Sequence, residues 1–591
     1  MSNITKIFTA EGFQNITNTF QKVHKRFPLT LLASLAGTVL FILFIENERD
    51  FKIGKLLLTI ALAVPLMFSV EIFNERKYIN KYIAILVGLG LLMLFYVFFQ
   101  MENEFKEGRK SAIVFAILAA SAHLLVSVSP YLDRRVLKNE TETSINQFWQ
   151  YNKILFLNIL NAFLYSFTLA GGLCLALLAI DKLFEVKIND EWYRNIFIFI
   201  NGYCNTIFFL SKLPSLDVID SKTADYPIGL KYFTQYVLLP LVVIYVLILL
   251  AYEFKIIIQW SLPKGWVSVL VMASAIFGIL AFLLLYPLRN ANKWVAQFTK
   301  LYYWILIPLI CLMMVAIYVR IKAYGITEPR YFIALISVWL LGISIYFGFS
   351  KIDNIKIIPI SLIVIGLLAI FGPLNAFYSS RNSQLNRLEK VLVKNNLMNN
   401  GLISIPKNIK LDEKDKRYLS SSIDYLSENN LASMQKYFSI AAFDSLKNTD
   451  LYAREEKFYA LTGLKIPKQD QFENRSVQRV MGEVEKLYAS DYATYIDNYR
   501  NVSFDLEGSK IVIAQNNFEE DGIYSFQIDG EKINFNFDFL KQMIGQSVDE
   551  QQLTVISEVK NWSCRIVIDR ISFNENNEVQ DFSGKLYLTK K

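Results

Sequence analysis

Arg320, Lys322 and Arg330 share one short connector, RIKAYGITEPRYF (320–332), between the apolar runs YYWILIPLICLMMVAIYV and FIALISVWLLGISIYFGF. Cations at the ends of two greasy segments can hold a lipid phosphate or another anion. Much of the same connector reads as a helix start. Gly325 permits a bend, Thr327 suits the cap of the next helix, Glu328 its positive end and Pro329 its first turn. Tyr318 and Tyr331 are the type of side chain that sits in an interfacial aromatic belt. Two readings follow: ordinary interface anchoring, or an anion or lipid-headgroup contact made by Arg320, Lys322 and Arg330.

A second set of candidates is neutral. Asn158 and Asn161 stand three apart, and Asn201 and Asn205 four apart, so each pair shares a helix face. In hydrocarbon such amides either bond across helices, at about 0.6–2 kcal/mol per contact, or line a polar path. Carboxylates, which mark proton- or ion-coupled paths when they lie in mid-span, stand instead at segment ends: Glu71, Asp181, Glu191 and Glu253.

Reaction chemistry has little to draw on. The two histidines, His24 and His123, lack paired-ligand spacing, so no metal site is expected, and His123 reads as a hydrogen-bonded interior residue. The chain contains no phosphate-cradling glycine loop, nucleophile elbow or paired-histidine helix. The expectation is a non-enzymatic protein without a cofactor. Cys174, Cys204 and Cys311 fall in apolar segments and Cys564 stands alone in the tail, which is no disulfide framework.

These residues need a membrane bundle to position them. The 591 residues are 53% hydrophobic, 14% aromatic and 19% charged, with mean hydropathy +0.31, too apolar for a soluble chain of this length. Windows able to cross about 30 Å of hydrocarbon recur near 28–45, 54–73, 82–101, 111–129, 154–180, 192–213, 232–251, 266–287, 303–320, 331–349 and 357–373. That predicts eleven spans. The least apolar is 192–213, where Arg194, Asn195, Asn201 and Asn205 interrupt the surface and a re-entrant segment is the alternative.

The fold class is thus a polytopic α-helical membrane bundle followed by a C-terminal α+β soluble domain. Residues 1–27 form a basic amphipathic segment leading into an uncleaved signal-anchor, 28–373 the transmembrane domain, 374–498 a helical part of the tail and 499–591 a β-rich part. Period-two stretches such as GIYSFQIDG and EKINFNFDFL, separated by Asp529-Gly530, signal a hairpin there. From 381 to 591 there are 28 Lys+Arg against 31 Asp+Glu, net −3, which leaves 33 against 22, net +11, for residues 1–380. A basic membrane part suits anionic headgroups and needs no nucleic acid. The basic leader favours a cytoplasmic N-terminus, which with eleven spans puts the tail on the outer side of the cell (inner) membrane; loop charges by themselves are balanced.

The connector, together with FWQYNKILFLNILNAFLYSFTLAGGL, FFLSKLP, LPLVVIYVLILLAYEFKIIIQWSLPKGWVSVLV and GPLNAFYSSRNSQLNRLEKVL, resembles the bacterial multispanning family catalogued as domain of unknown function 4153, over most of residues 100–395. The resemblance implies a bacterial cell-membrane protein and brings no assigned activity or site residues. Two functions are open. One is a permease-like or lipid-handling bundle, with Asn158, Asn161, Asn201 and Asn205 lining a polar path. The other is an anchor for an envelope interaction or sensing module in the tail, with an envelope protein as partner; an enzyme on lipid-linked substrates ranks third. The bilayer, and anionic lipid within it, is the expected partner of the first.

Overall fold

The computed structural model describes residues 10–461, except 48, 102–108, 133–140, 222–225, 260–265, 290–292, 351–352, 400, 404–410, 450–453, 455–456 and 459–460. Beyond 474 it describes 475–479, 492–497, 502–506, 509–513, 523–543, 547–548, 553–559, 561–573 and 579–590. The chain divides into two compact units, Met1–Leu464 and Lys465–Lys591.

The first unit is helical. In order come α1 (Ala10–Arg26), α2 (Pro28–Glu46), α3 (Phe51–Glu75), α4 (Lys81–Met101), α5 (Arg109–Val128) and α6 (Glu142–Phe184). Then α7 (Asp190–Phe199) runs through a π turn (Ile200–Cys204) into α8 (Asn205–Ser211), and α9 (Leu216–Ser221) follows. Next, α10 (Ile228–Tyr232) runs through a second π turn (Phe233–Leu238) into α11 (Leu239–Gln259). The set closes with α12 (Trp266–Leu285), α13 (Lys293–Tyr324), α14 (Glu328–Phe349), α15 (Ile357–Phe371), α16 (Ala376–Lys394), α17 (Glu413–Asn429) and α18 (Ile440–Lys447). Starts are capped as their residue types dictate: Asp50, Thr141, Asn189 and Asn375 accept from backbone N–H groups of the first turn.

Polar contacts sort the helix ends into two sets. At the first end Arg26 meets Glu75 at 2.6 Å and the carbonyls of Leu213 and Pro214, Arg76 meets Asp220 at 2.5 Å, and Arg289 meets Asp353 at 2.7 Å. There too Lys356 Nζ donates to Ser144 at 2.7 Å. Glu71 accepts from Leu29 N and from both Thr30 N and Oγ1, so one helix's carboxylate caps the positive start of another. The connector between α13 and α14 lies at the second end, because α13, about 48 Å long at 1.5 Å per residue, starts close to Arg289.

Among the described residues nine helices are long and apolar enough to cross a membrane, or ten if α15 and α16, bent by 46°, are one span. Of the eleven expected segments, two fall short of that length as single regular helices, and each has an identifiable defect. The stretch 190–211 is broken by a π turn, although it runs from Asn195, which donates to Glu46 at the second end, to the Arg26 contacts at the first. α15 has only 15 residues, about 22 Å. His123 is exposed, with Nδ1 bonded to Ala119 O on its own helix; it does not face the interior as expected.

The second unit is β-rich, with its first described strand at Arg475. Strands β5 (Val502–Leu506), β6 (Ser509–Ile513), β7 (Ile523–Ile528) and β8 (Glu531–Asn536) form an antiparallel meander. β3 (Arg475–Arg479), β4 (Tyr492–Asp497), β9 (Ser547–Val548), β10 (Thr554–Val559), β11 (Trp562–Phe573) and β12 (Val579–Lys590) form a second sheet around the long β11–β12 hairpin; the two-residue strands β1 (Met398–Asn399) and β2 (Leu402–Ile403) pair within the first unit. Asp529 and Gly530 both take positive φ, 53° and 79°, as a two-residue hairpin turn requires. The core gathers inward-facing Tyr524, Phe526, Phe535, Trp562, Ile566 and Phe582. Cys564 lies in it, fully buried, and burial pushes its thiol pKa up to about 12.

Candidate functional site

The connector is a clamp. Gly325 takes φ +72°, which only glycine adopts cheaply, and so turns the last carbonyls of α13 towards α16. Gln384 Nε2 donates to Tyr324 O at 3.0 Å and to Ile326 O at 2.9 Å, Arg387 Nη2 donates to Ala323 O at 2.9 Å, and Ser383 Oγ accepts from Ile326 N at 3.0 Å. α17 completes it. Ser422 donates to Gln384 Oε1 at 3.1 Å, and the Tyr425 hydroxyl donates to buried Glu328. The carbonyls that a helix C-terminus leaves unpaired are thus satisfied by side chains of the chain's later helices.

This placement separates the three predicted cations. Arg330 donates from Nη1 to Tyr324 O and Gly325 O and lies 5.3 Å from the Tyr324 ring. Arg320 and Lys322 are exposed. Among the described residues none of the three, nor Arg387, pairs with a carboxylate. Thr327 occupies the cap position as expected, but its hydroxyl makes no capping bond; the first turn is held instead by the Glu328–Tyr425 contact.

A second feature lies in mid-bundle. Near half-height, α2, α3 and the α7–α8 stretch enclose an open groove of about 450 Å³. Its walls are mostly apolar, with Phe41, Leu57, Ile60, Val64, Phe197 and Ile198. One side carries a seam of hydroxyls and an amide: Ser34 Oγ lies 2.8 Å from Thr206 Oγ1, Thr38 bonds Ser34 O, Thr206 bonds Gly202 O, and Asn201 bonds Phe197 O. The π turn permits this. Extra residues within a helix re-aim its backbone, often at functional sites, and here Gly202 comes so near α2 that a Cβ would lie 2.3 Å from Thr38 Oγ1. Among the described residues no ionisable side chain lines the groove.

Of the four predicted asparagines, only Asn201 lines this groove, where it also accepts from Ser166 at 3.2 Å. Asn158 is buried and its amide nitrogen has no partner among the described residues, Asn161 is exposed, and Asn205 is half-buried directly after the π turn. Sequence reasoning missed Ser34, Thr38 and Thr206 as well as the clamp residues Gln384, Arg387 and Tyr425. Ser34 and Thr38 stand four apart in an otherwise apolar run and Gly202 sits between two asparagines; that was a legible signal. The clamp residues had none. Among the described residues no three His, Cys, Asp or Glu side chains converge on a metal-sized site.

An uncharacterised protein of Pasteurella multocida is 25% identical over 399 residues, 65% of this chain and 62% of its own length, so the chain spans under two thirds of that relative. No solved structure matches. Residues 56–403, which take in most of α3, all of α4 to α16 with the α13–α16 part of the clamp, and the α3 and π-turn walls of the groove, match the family described as Domain of unknown function (DUF4153), and the chain belongs to that family.

Proposed function

We propose that this multi-pass membrane protein is a non-enzymatic lipid-handling bundle, and that the groove between α2, α3 and the π turn receives an acyl chain together with one uncharged hydrogen-bonding group. The carrying observation is the groove itself: open, mostly apolar-walled, at mid-depth and, among the described residues, lined without a single ionisable side chain. A path for ions or charged solutes would need carboxylates, cations or unwound carbonyls facing it. The hydroxyl seam suits an alcohol, whose O–H can donate to a hydroxyl that has already spent its own proton, since each hydroxyl retains acceptor capacity beyond the bond it donates.

The test is native mass spectrometry of the protein released from mild detergent. Wild type should carry lipid adducts that Gly202→Ala, whose Cβ would lie 2.3 Å from Thr38 Oγ1 and so disrupts the wall made by α2 and the π turn, removes. Ser34→Ala with Thr206→Val, which keeps the groove but strips its polar seam, should lower uncharged-lipid adducts while leaving the bare-chain volume open. Identical adducts in all three proteins would sink the reading.

A second reading, the envelope interaction or sensing module, draws on the clamp, because α16 and α17 are built onto the end of α13 and a partner gripping them would pull on the bundle. With a cytoplasmic α1 in a bacterial inner membrane, the second end and α16–α18 face outward. Cys564 is too buried to report this. A cysteine placed at exposed Lys390, in a background without the native cysteines, should react with an impermeant thiol reagent in intact cells; reaction only after permeabilisation would reverse the orientation.

A further inference from the structure

We infer that the outer face of α6 pairs with the same face of a second copy of this chain, and that Asn161 of each copy hydrogen-bonds its counterpart. The surface is separate from the groove. Beyond Asn158 the buried residues of α6 are Ala162, Ser166 and Ala170, and Ser166 donates to Asn201 on the neighbouring π turn. About a third of the way round the helix from them, Asn161, Tyr165, Thr168, Gly172, Leu175 and Ala179 are all exposed.

Those exposed residues follow one another at intervals of four, three, four, three and four, the repeat by which two helices keep one seam together in a left-handed pair. The seam is about 27 Å long at 1.5 Å per residue, close to the thickness of the hydrocarbon layer. It differs from plain lipid-facing surface. The Asn161 amide and the hydroxyls of Tyr165 and Thr168 bond nothing among the described residues. They begin seven residues inside the apolar run that opens at Ile154, about 10 Å along the helix. Lipid tails offer such groups neither donor nor acceptor.

Symmetry and chemistry choose the occupant. Two copies inserted the same way round are related by a two-fold axis along the membrane normal, so their α6 helices run parallel and each seam residue meets its own counterpart. An amide carries both donors and an acceptor, so two Asn161 side chains satisfy each other, and one such residue in a seam fixes its register. Two turns further on, the paired Thr168 hydroxyls can do the same. At Gly172 a Cβ would meet nothing within 4 Å in a single copy, which leaves room there for the second helix to come close. A shallow hollow lined by Leu164, Tyr165, Thr168, Leu169, Gly172 and Leu173 marks that place on the surface.

The experiment uses the full chain in liposomes, with single-molecule photobleaching of fluorescently labelled protein at falling protein density, and disulfide trapping in native membranes. Wild type should bleach in two steps at densities where Gly172→Leu bleaches in one, although Gly172→Leu, which points into open space, leaves the thermal-unfolding midpoint of the single copy unchanged. Asn161→Leu should raise the dimer's dissociation constant about three- to thirtyfold, the worth of one cross-helix hydrogen bond. In a background without the native cysteines, Leu175→Cys should form an intermolecular disulfide, and Phe163→Cys, exposed on another side of the same helix, should not. One-step bleaching of wild type at every density would overturn the proposal. So would a dissociation constant unchanged in both variants, or equal disulfide trapping at Leu175→Cys and Phe163→Cys.

Discussion

The two ends of the bundle neutralise their cations in opposite ways. At the first, guanidinium groups meet carboxylates: Arg26 with Glu75, Arg76 with Asp220, Arg289 with Asp353. At the second, Arg330 and Arg387 donate to the carbonyls that close α13 and lie over the rings of Tyr324 and Tyr418, and among the described residues no carboxylate joins them. A cation that bonds a carbonyl keeps its charge uncompensated, while one that bonds a carboxylate does not. The first end is thus a lock between helices, and the second is both a clamp for α16 and α17 and a positive surface that an anionic headgroup can still approach.

The largest effect should come from the lock. Arg76 and Asp220 are 17% and 23% exposed, and removing one partner of a buried pair costs about 3–5 kcal/mol, which partial exposure lowers to roughly 2–3. Arg76→Ala should therefore lower the thermal-unfolding midpoint by many degrees, whereas Arg320→Ala should change stability by less than about 0.5 kcal/mol. Equal shifts at both positions would erase the distinction between the ends.

Next comes the clamp. Gly325→Ala forces a side chain into positive φ and sets a Cβ 2.7 Å from Arg387 Cδ and 2.8 Å from Gln384 Nε2, a cost of order 1–3 kcal/mol. Gln384→Ala removes two carbonyl partners at about 1–2 kcal/mol. Both should raise protease sensitivity within α16–α17 while leaving α2–α6 protected. Cleavage patterns like those of wild type would mean that the later helices do not depend on the connector.

Much of the bundle was legible in the sequence because hydrocarbon imposes a strict length and apolarity on each crossing. The exceptions are informative. The π turn at 200–204 exchanges regular helix for close approach at Gly202, and no hydropathy window registers a change of hydrogen-bond register. The clamp was out of reach for another reason: Gln384 and Tyr425 are ordinary polar residues of surface-like helices, and only folding brings them to Tyr324 and Glu328, about 60 and 97 residues away in sequence. Sequence alone did not separate Arg330, which bonds carbonyls, from exposed Arg320 and Lys322, because a basic residue bonding a carbonyl and one open to a phosphate read alike.

A smaller effect sharpens that last point. Arg320→Gln with Arg330→Gln should leave insertion intact and reduce copurifying anionic lipid severalfold, at about 1 kcal/mol per basic residue near the surface; unchanged lipid content would leave these residues as interface anchors. The smallest lies at the far end of α16. Burial raises the pKa of the Asp415 carboxyl, but hydrogen bonds from Lys394 and Asn395 more than reverse this and hold it below its ordinary 3.8. Its contribution is therefore complete above about pH 4 and lost as pH falls through the lower folded value. The melting temperature of wild type should fall towards that of Asp415→Asn as the pH is taken below about 4, and curves that stay parallel would contradict it.

The most direct measurement of the central claim is a cryo-electron microscopy map of the full chain in lipid nanodiscs. Lipid handling predicts elongated density lying along Ser34, Thr38 and Thr206 in the groove and absent from the same map of Gly202→Ala. A groove empty of lipid, or a water-filled path joining both ends of the bundle, would contradict it.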